Sequence, residues 1–193
     1  MNIEKKKEKL LSLYDEYEKQ VAYFKKDAAC VIGCADCCID VGNIDITTLE
    51  GIIIQNEIHR LPEPLQSEIK DKLIQNKSEC EKKTLVRCAF LNDDKTCLIY
   101  PIRPFSCRQL YSIKRCNGNP PVMHRFSVLI SREIRKEIQQ LDSSGYSGHI
   151  SYILYLLDDK KFRESYIRGH FEPQKIAAFG KSHKIFINRF VTK

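Results

Sequence analysis

A mainly α, helix-rich single domain with one small irregular β-hairpin is predicted by three features of the 193-residue chain. Apolar residues recur at three- and four-residue steps through several long segments, the pattern of amphipathic helices. One region, 85–100, instead shows two brief apolar pieces around Asn92-Asp93-Asp94-Lys95, a turn signal that reads as a hairpin. The length suits one core, and two full domains would be cramped. With 42% hydrophobic and 30% charged residues, wholesale disorder is excluded.

Taken in order, Ile3, Leu10, Tyr14, Tyr17, Val21 and Phe24 share one face opposite Lys and Glu, predicting a helix from about Ile3 to Ala28. That face either packs on the core or pairs with a second copy as a homodimer. Gly42 and Asn43 mark a turn, and Asp45 to Thr48 offer an N-cap for a helix over 49–61 that Pro62 and Pro64 end. A further helix over 65–83 should bury Leu65, Ile69, Leu73 and Ile74, with Cys80 near its end as a half-buried spectator. Pro101 and Pro104 then impose a bent, extended path. Phe126, Ile130, Ile134 and Ile138 predict a core helix over about 122–141. Asp142-Ser143-Ser144-Gly145 breaks it, and the strongly apolar 149–159 must be a buried helix. The expected organisation is an N-terminal amphipathic helix (1–29), a cysteine-rich core (30–119), helices packing on that core (120–159) and a basic C-terminal segment (160–193).

The formal charge of +7 is unevenly placed. Residues 1–159 carry 23 basic and 23 acidic side chains, whereas 160–193 carry nine and two, so the whole excess lies in the last segment. Its lysines and arginines are interleaved with Phe162, Tyr166, Phe171, Phe179, Phe186 and Phe190, a mixture that could lie along nucleic acid or an acidic protein partner. The plainer expectation is that Phe179, Phe186, Ile187 and Phe190 form the buried face of a terminal helix with a basic outer face. The N-terminus has no apolar stretch of signal-peptide length, and the longest apolar runs are too short to span a bilayer. The expected location is the cytoplasm, away from membranes. There thiols stay reduced, so clustered cysteines are read as metal ligands rather than disulfides.

The cysteines fall into two groups. Cys30, Cys34, Cys37 and Cys38 lie within nine residues, and Cys88, Cys97, Cys107 and Cys116 are separated by eight, nine and eight residues. A hairpin and a proline-braced loop are stiff without being helical, so thiolates presented from them can converge on one point. Four thiolates around Zn²⁺ or a [4Fe–4S] core leave a net negative charge that needs cations nearby. Arg87, Arg103, Arg108 and Arg115 each flank a cysteine of the second group, with Arg103 and Arg108 on either side of Cys107. Adjacent Cys37 and Cys38 point apart on most backbones. They serve one site only through a special turn, or they serve two sites. A structural zinc would need only four of the eight thiols, and the excess argues for something beyond a single closed zinc site: two neighbouring metal sites, or one cluster site with spare thiols, with a [4Fe–4S] cluster the favoured cofactor over zinc.

The early Cys30-Val31-Ile32-Gly33-Cys34-Ala35-Asp36-Cys37-Cys38, the later Cys97-Leu98-Ile99-Tyr100, Arg103-Pro104 and Cys107-Arg108, and the final Cys116 resemble the YkgJ-type cysteine-cluster family of zinc- or iron-chelating CxxCxxCC proteins. The resemblance covers about residues 30–116. It implies metal or iron–sulfur binding by Cys30, Cys34, Cys37, Cys38, Cys88, Cys97, Cys107 and Cys116. Three residues rather than the family's usual two separate Cys30 from Cys34, which makes Cys30 a less secure ligand than Cys34, Cys37 and Cys38. The family includes flagellin lysine N-methylases, which are longer and use S-adenosylmethionine, so a peptide or protein substrate is the expectation by analogy.

Cys30-x3-Cys34-x2-Cys37 also has the spacing of radical S-adenosylmethionine enzymes. Those enzymes place an aromatic residue where this chain has Asp36, and they continue into alternating strands and helices, whereas helical periodicity dominates here. Radical chemistry is therefore disfavoured. His59, His124, His149, His170 and His183 are scattered, and His124 reads as a surface or capping residue. Cys-His nucleophilic catalysis would need one thiol singled out from its neighbours.

Overall fold

The computed structural model describes residues 1–39 and 44–191; the turn expected at Gly42-Asn43 lies outside them. The fold is mainly helical with a small three-stranded antiparallel sheet. The first helix, α1 (Ile3–Val21), starts at Asn2, whose side chain caps Lys5 N, and ends earlier than its periodicity suggests, in turns that carry Phe24 toward the first cysteines. It packs along α6 (Arg125–Leu141), burying Leu10, Leu13, Tyr14, Tyr17 and Val21 with Leu49, Phe105, Ile134 and Ile138. The apolar face of α1 is thus used within the chain.

A second core lies between α3 (Thr48–Ile58), α4 (Glu63–Cys80) and α7 (Ile150–Asp158). Gly51 is the close contact: a Cβ there would stand 2.6 Å from Leu157 Cδ1 and 3.1 Å from Ile153 Cγ2, so glycine lets α3 and α7 approach. Pro62 precedes α4 and Pro64 lies in its first turn, where proline's missing N–H costs nothing. In α4 Ile69 is buried and Leu65 and Leu73 are half-buried, but Ile74, expected inside, is exposed.

The sheet is the part that periodicity did not announce. Strands β1 (Asp45–Thr47), β2 (Tyr146–His149) and β3 (Phe186–Ile187) form it with β2 central, in the register Thr47↔Ser147 and Ser147↔Phe186. It joins three distant parts of the chain. Thr47 ends β1 and also caps α3 in a reciprocal capping box with Glu50, so the expected N-cap and an unexpected strand share residues. His149 ends β2 and caps α7 through Ser151 N, and His124 caps α6, as the sequence suggested.

The hairpin forms as expected, held by a single bridge between Leu91 and Cys97 around a turn in which Lys95 adopts φ 65°. Asn92 N and Leu98 N donate to Thr96 O and Phe90 O at 2.9 Å each. The basic segment differs from the single terminal helix expected of it. It contains α8 (Lys160–Ile167), α9 (Ala177–Ser182), β3 and a 3₁₀ turn at Asn188–Phe190. Helix α9 stops because Lys184 takes φ 54° and Ile185 N reaches back to Gly180 O, a Schellman closure. Phe179 packs against Tyr155 and His183, whereas Phe186 and Phe190 are exposed. Among the described residues no helix is long and apolar enough to cross a membrane.

Candidate metal centre

All nine cysteines are free thiols. Eight lie near enough to act on one another's thiols, delivered by the loop after α1, by the one-turn helix α2 (Asp36–Ile39), by the hairpin, by the one-turn helix α5 (Phe105–Arg108) and by a turn at Cys116. The ninth, Cys80, stands at the end of α4 with its sulfur 3.6 Å from His149 Nε2, apart from the others as its spacing implied.

Each loop has a local cause. Gly33, with φ +86°, occupies the third position of a turn closed by Cys34 N donating to Val31 O at 2.9 Å, so three residues can separate Cys30 from Cys34. Cys116 begins a turn whose central residues, Asn117 and Gly118, both have positive φ, the pattern of type I′, closed by Asn119 N to Cys116 O. Asp36 Oδ2 accepts from Asn117 N at 3.0 Å and so fastens this turn to α2. Ser112 N donates to Cys30 Sγ at 3.4 Å, and Ser112 O accepts from Ala29 N at 2.7 Å. Cys30, Cys34 and Cys116 line one open cavity of about 300 Å³ with Asp36, Lys114 and Arg115.

Cys88, Cys97 and Cys107 are half-buried and pack against the main core. Cys88 N donates to Cys38 O at 2.8 Å, bringing the two sequence groups into backbone contact. Cys107 is placed most firmly. Phe105 N, at the start of α5, donates to Glu50 Oε1 at 2.8 Å, and the Phe105 ring meets the Tyr17 ring edge-on at 4.9 Å. The same carboxylate accepts from Tyr14 OH, Thr47 N and Thr47 Oγ1. Glu50, buried among helices, therefore ties α1 and α3 to the cysteine loop.

Burial pushes the thiol pKa of Cys88 up to about 11 and raises those of Cys97 and Cys107, with neighbouring thiols adding to the effect and Arg103 opposing it at Cys97 and Cys107. Cys37 and Cys38 have their sulfurs 3.9 Å apart. The Cys38 contact holds Cys37 down to about 7, with Arg103 helping, and Cys38 is raised. The one-turn helix thus holds the two adjacent sulfurs side by side. Cys30 is raised by burial, with contributions from Cys34, Cys37 and Cys116. Among the described residues no three His, Cys, Asp or Glu side chains stand as a ready metal site, so the thiols are gathered but not closed upon one point.

The two arginines beside Cys107 divide their work. Arg103 faces the thiols and stacks on Tyr100 at 4.3 Å, while Arg108 donates to Arg103 O and Pro101 O and lies over Tyr14. Arg108 braces the loop, and Arg103 supplies positive potential. Arg87 likewise braces the hairpin through Asn92 O. Sequence reasoning missed Asp36, Ser112 and Glu50. The Asn117-Gly118 dipeptide was the one available signal for the Cys116 turn.

The family model for CxxCxxCC, "Putative zinc- or iron-chelating domain", matches residues 29–125, a span that begins beside Cys30 and takes in all eight gathered thiols. Neither a curated protein nor a solved structure matches the chain. The family match covers half of the sequence and coincides with the region where the thiols assemble, and the chain belongs to the CxxCxxCC zinc- or iron-chelating family.

Proposed function

We propose that the chain holds metal through Cys30, Cys34, Cys37, Cys38, Cys88, Cys97, Cys107 and Cys116, as iron–sulfur of the [4Fe–4S] kind ahead of zinc, and that it serves modification of a peptide or protein. The observation that supports the metal reading is the proximity of thiols carried by separate segments of the chain, with Arg103 close to Cys37, Cys97 and Cys107. Soft thiolate donors suit zinc and iron–sulfur chemistry. Half-buried neutral thiols would release protons as metal binds, so affinity should weaken in acid. A bound metal would cross-link the hairpin, α2 and α5, and a [4Fe–4S] cluster would add redox chemistry. Arg103 would offset the charge of the thiolates.

The deciding experiment measures metal, acid-labile sulfide and the visible spectrum of protein purified without oxygen and without added metal. Iron with sulfide in a brown sample supports the cluster, and zinc in a colourless sample supports the zinc form. Cys97→Ser and Cys107→Ser should each lose metal and much of the fold. Full metal retention by both variants would overturn the assignment.

A second reading, zinc holding a module whose basic C-terminal segment binds nucleic acid or an acidic protein partner, draws on the exposure of Phe186 and Phe190 around Arg189. It requires binding to single-stranded RNA or an acidic peptide that weakens as salt rises.

A further inference from the structure

The eight thiols lie in two different surroundings. Cys30, Cys34 and Cys116 line a single solvent-open cavity, and this group is held by turns: Gly33 and Asn117-Gly118 set the backbone, with Ser112 N on Cys30 Sγ and Asp36 on Asn117 N. Cys88, Cys97 and Cys107 are half-buried against the main core, and Cys38 joins them through the Cys88 N to Cys38 O bond. Cys37 stands between the groups, exposed, within electrostatic reach of Cys30 on one side and of Cys88, Cys97 and Cys107 on the other.

Counting donors decides where Cys37 belongs. A tetrahedral metal, or one cubane cluster, takes four thiolates. Cys38, Cys88, Cys97 and Cys107 would supply the four donors of one such shell, and a fifth thiolate there would be surplus. Cys30, Cys34 and Cys116 lack a fourth, and Cys37 follows Cys34 at the spacing Cys-x2-Cys, which two ligands of one metal commonly use. The geometry points to two adjoining four-thiolate metal centres: an outer one of Cys30, Cys34, Cys37 and Cys116 beside Lys114 and Arg115, and an inner one of Cys38, Cys88, Cys97 and Cys107 beside Arg103. The Cys37–Cys38 peptide links the centres, which explains how adjacent cysteines can both be ligands. The division also separates their chemistry. The outer centre opens to solvent and the inner one is seated against the core, so they differ in how readily metal leaves. This inference rests on the reading that the thiols bind metal.

The test is anaerobic titration of the full-length, metal-free chain with Co²⁺, followed by its sulfur-to-cobalt charge-transfer absorption. The wild type should take two equivalents. Cys34→Ser, Cys37→Ser and Cys116→Ser should each take one tightly bound equivalent and stay folded by circular dichroism. Cys38→Ser, on the one-turn helix rather than in the core-packed loops, should also keep one equivalent. It provides the inner-centre variant if Cys107→Ser does not fold. An independent readout adds a chelator stepwise to the wild-type metal form, with alkylation mapped by mass spectrometry. Cys30, Cys34, Cys37 and Cys116 should label together, before the other four. One equivalent in the wild type, loss of both from Cys116→Ser, or labelling of all eight in a single step would overturn the division while leaving metal binding intact. No cobalt bound by the folded wild type would overturn metal binding itself, and the division with it.

Discussion

The loop bearing Cys30 and Cys34 and the loop bearing Cys107 both present thiols, but different forces hold them. The first is set by backbone conformation: exposed turns need positive φ at Gly33 and Gly118, and short polar bonds join their ends. The second is set by the interior: α5 starts on the buried Glu50 carboxylate, Phe105 is enclosed by Tyr14 and Tyr17, and Arg135 reaches Gln109 just beyond it. Turns fix a loop to itself, whereas a buried carboxylate fixes it to two helices, α1 and α3. The inner thiols should therefore follow global stability, and the outer ones should follow local geometry.

The largest effect should come from Glu50→Ala. Removing this carboxylate leaves Phe105 N and Tyr14 OH without their acceptor inside the core and breaks the α3 capping box. Hydrogen bonds to a charged group contribute about 1.5–3 kcal/mol each, and the expected loss is at least about 3 kcal/mol. Urea unfolding checks it. In the metal-free protein, alkylation of Cys107 should accelerate far more than that of Cys34, and equal acceleration of both would break the comparison. Gly51→Ala serves as the control, because its Cβ would overpack Leu157 and Ile153 at the α3–α7 contact rather than touch either cysteine loop. It should cost about 2 kcal/mol by the same measurement and leave the ratio of labelling rates unchanged below the unfolding transition.

Much of this contrast was legible in the residues. Long periodic segments gave α1, α4 and α6 because one buried face per helix leaves a mark every three or four positions. The hairpin was readable from Asn92-Asp93-Asp94-Lys95, and the thiols from their spacing and their resemblance to a cysteine-cluster family. The sheet was not readable. Strands of three, four and two residues are too short to alternate, and Gly148 and Ser147 carry no apolar signal. Glu50 was hidden too, since a carboxylate in the first turn of a helix looks like an ordinary capping residue until the loop it holds is known. Nor could spacing reveal that α2 holds the Cys37 and Cys38 sulfurs 3.9 Å apart, because that depends on one helical turn ending a loop.

A smaller effect sharpens the other half of the comparison. Gly33→Ala and Gly118→Ala force a Cβ into left-handed backbone, at a cost of about 1 kcal/mol each, although space is open at both positions. Global stability should barely move in the metal-free protein if the strained turn relaxes. Metal at the outer thiols should then be lost to a competing chelator at roughly fivefold lower concentration, with the inner thiols still protected. Unchanged chelator sensitivity would mean that the turns do not position Cys34 and Cys116.

The smallest net effect is expected from pH, because two buried groups oppose each other across the sheet region. Asp142 accepts from Tyr166 OH, Leu49 N and Asn188 Nδ2, yet burial still pushes its carboxyl up to about 7. Its raised value means that the native state holds the proton more tightly than the unfolded chain. Its contribution is complete below about 4 and is lost as pH rises toward 7. His149 is held down to about 4 by burial while capping α7, so its contribution is complete above about 6.5 and is lost as pH falls toward 4. Between pH 4 and 7 the two slopes have opposite signs, and metal-free wild type should show a shallow profile in urea titrations. Each single variant should expose the other slope. Asp142→Asn should make stability rise with pH over this window, and His149→Gln should make it fall. Parallel profiles for the two variants would show that these groups do not set the balance. Because both groups lie away from the eight gathered thiols, any further acid sensitivity that appears only with metal bound would report the protonation of those thiols.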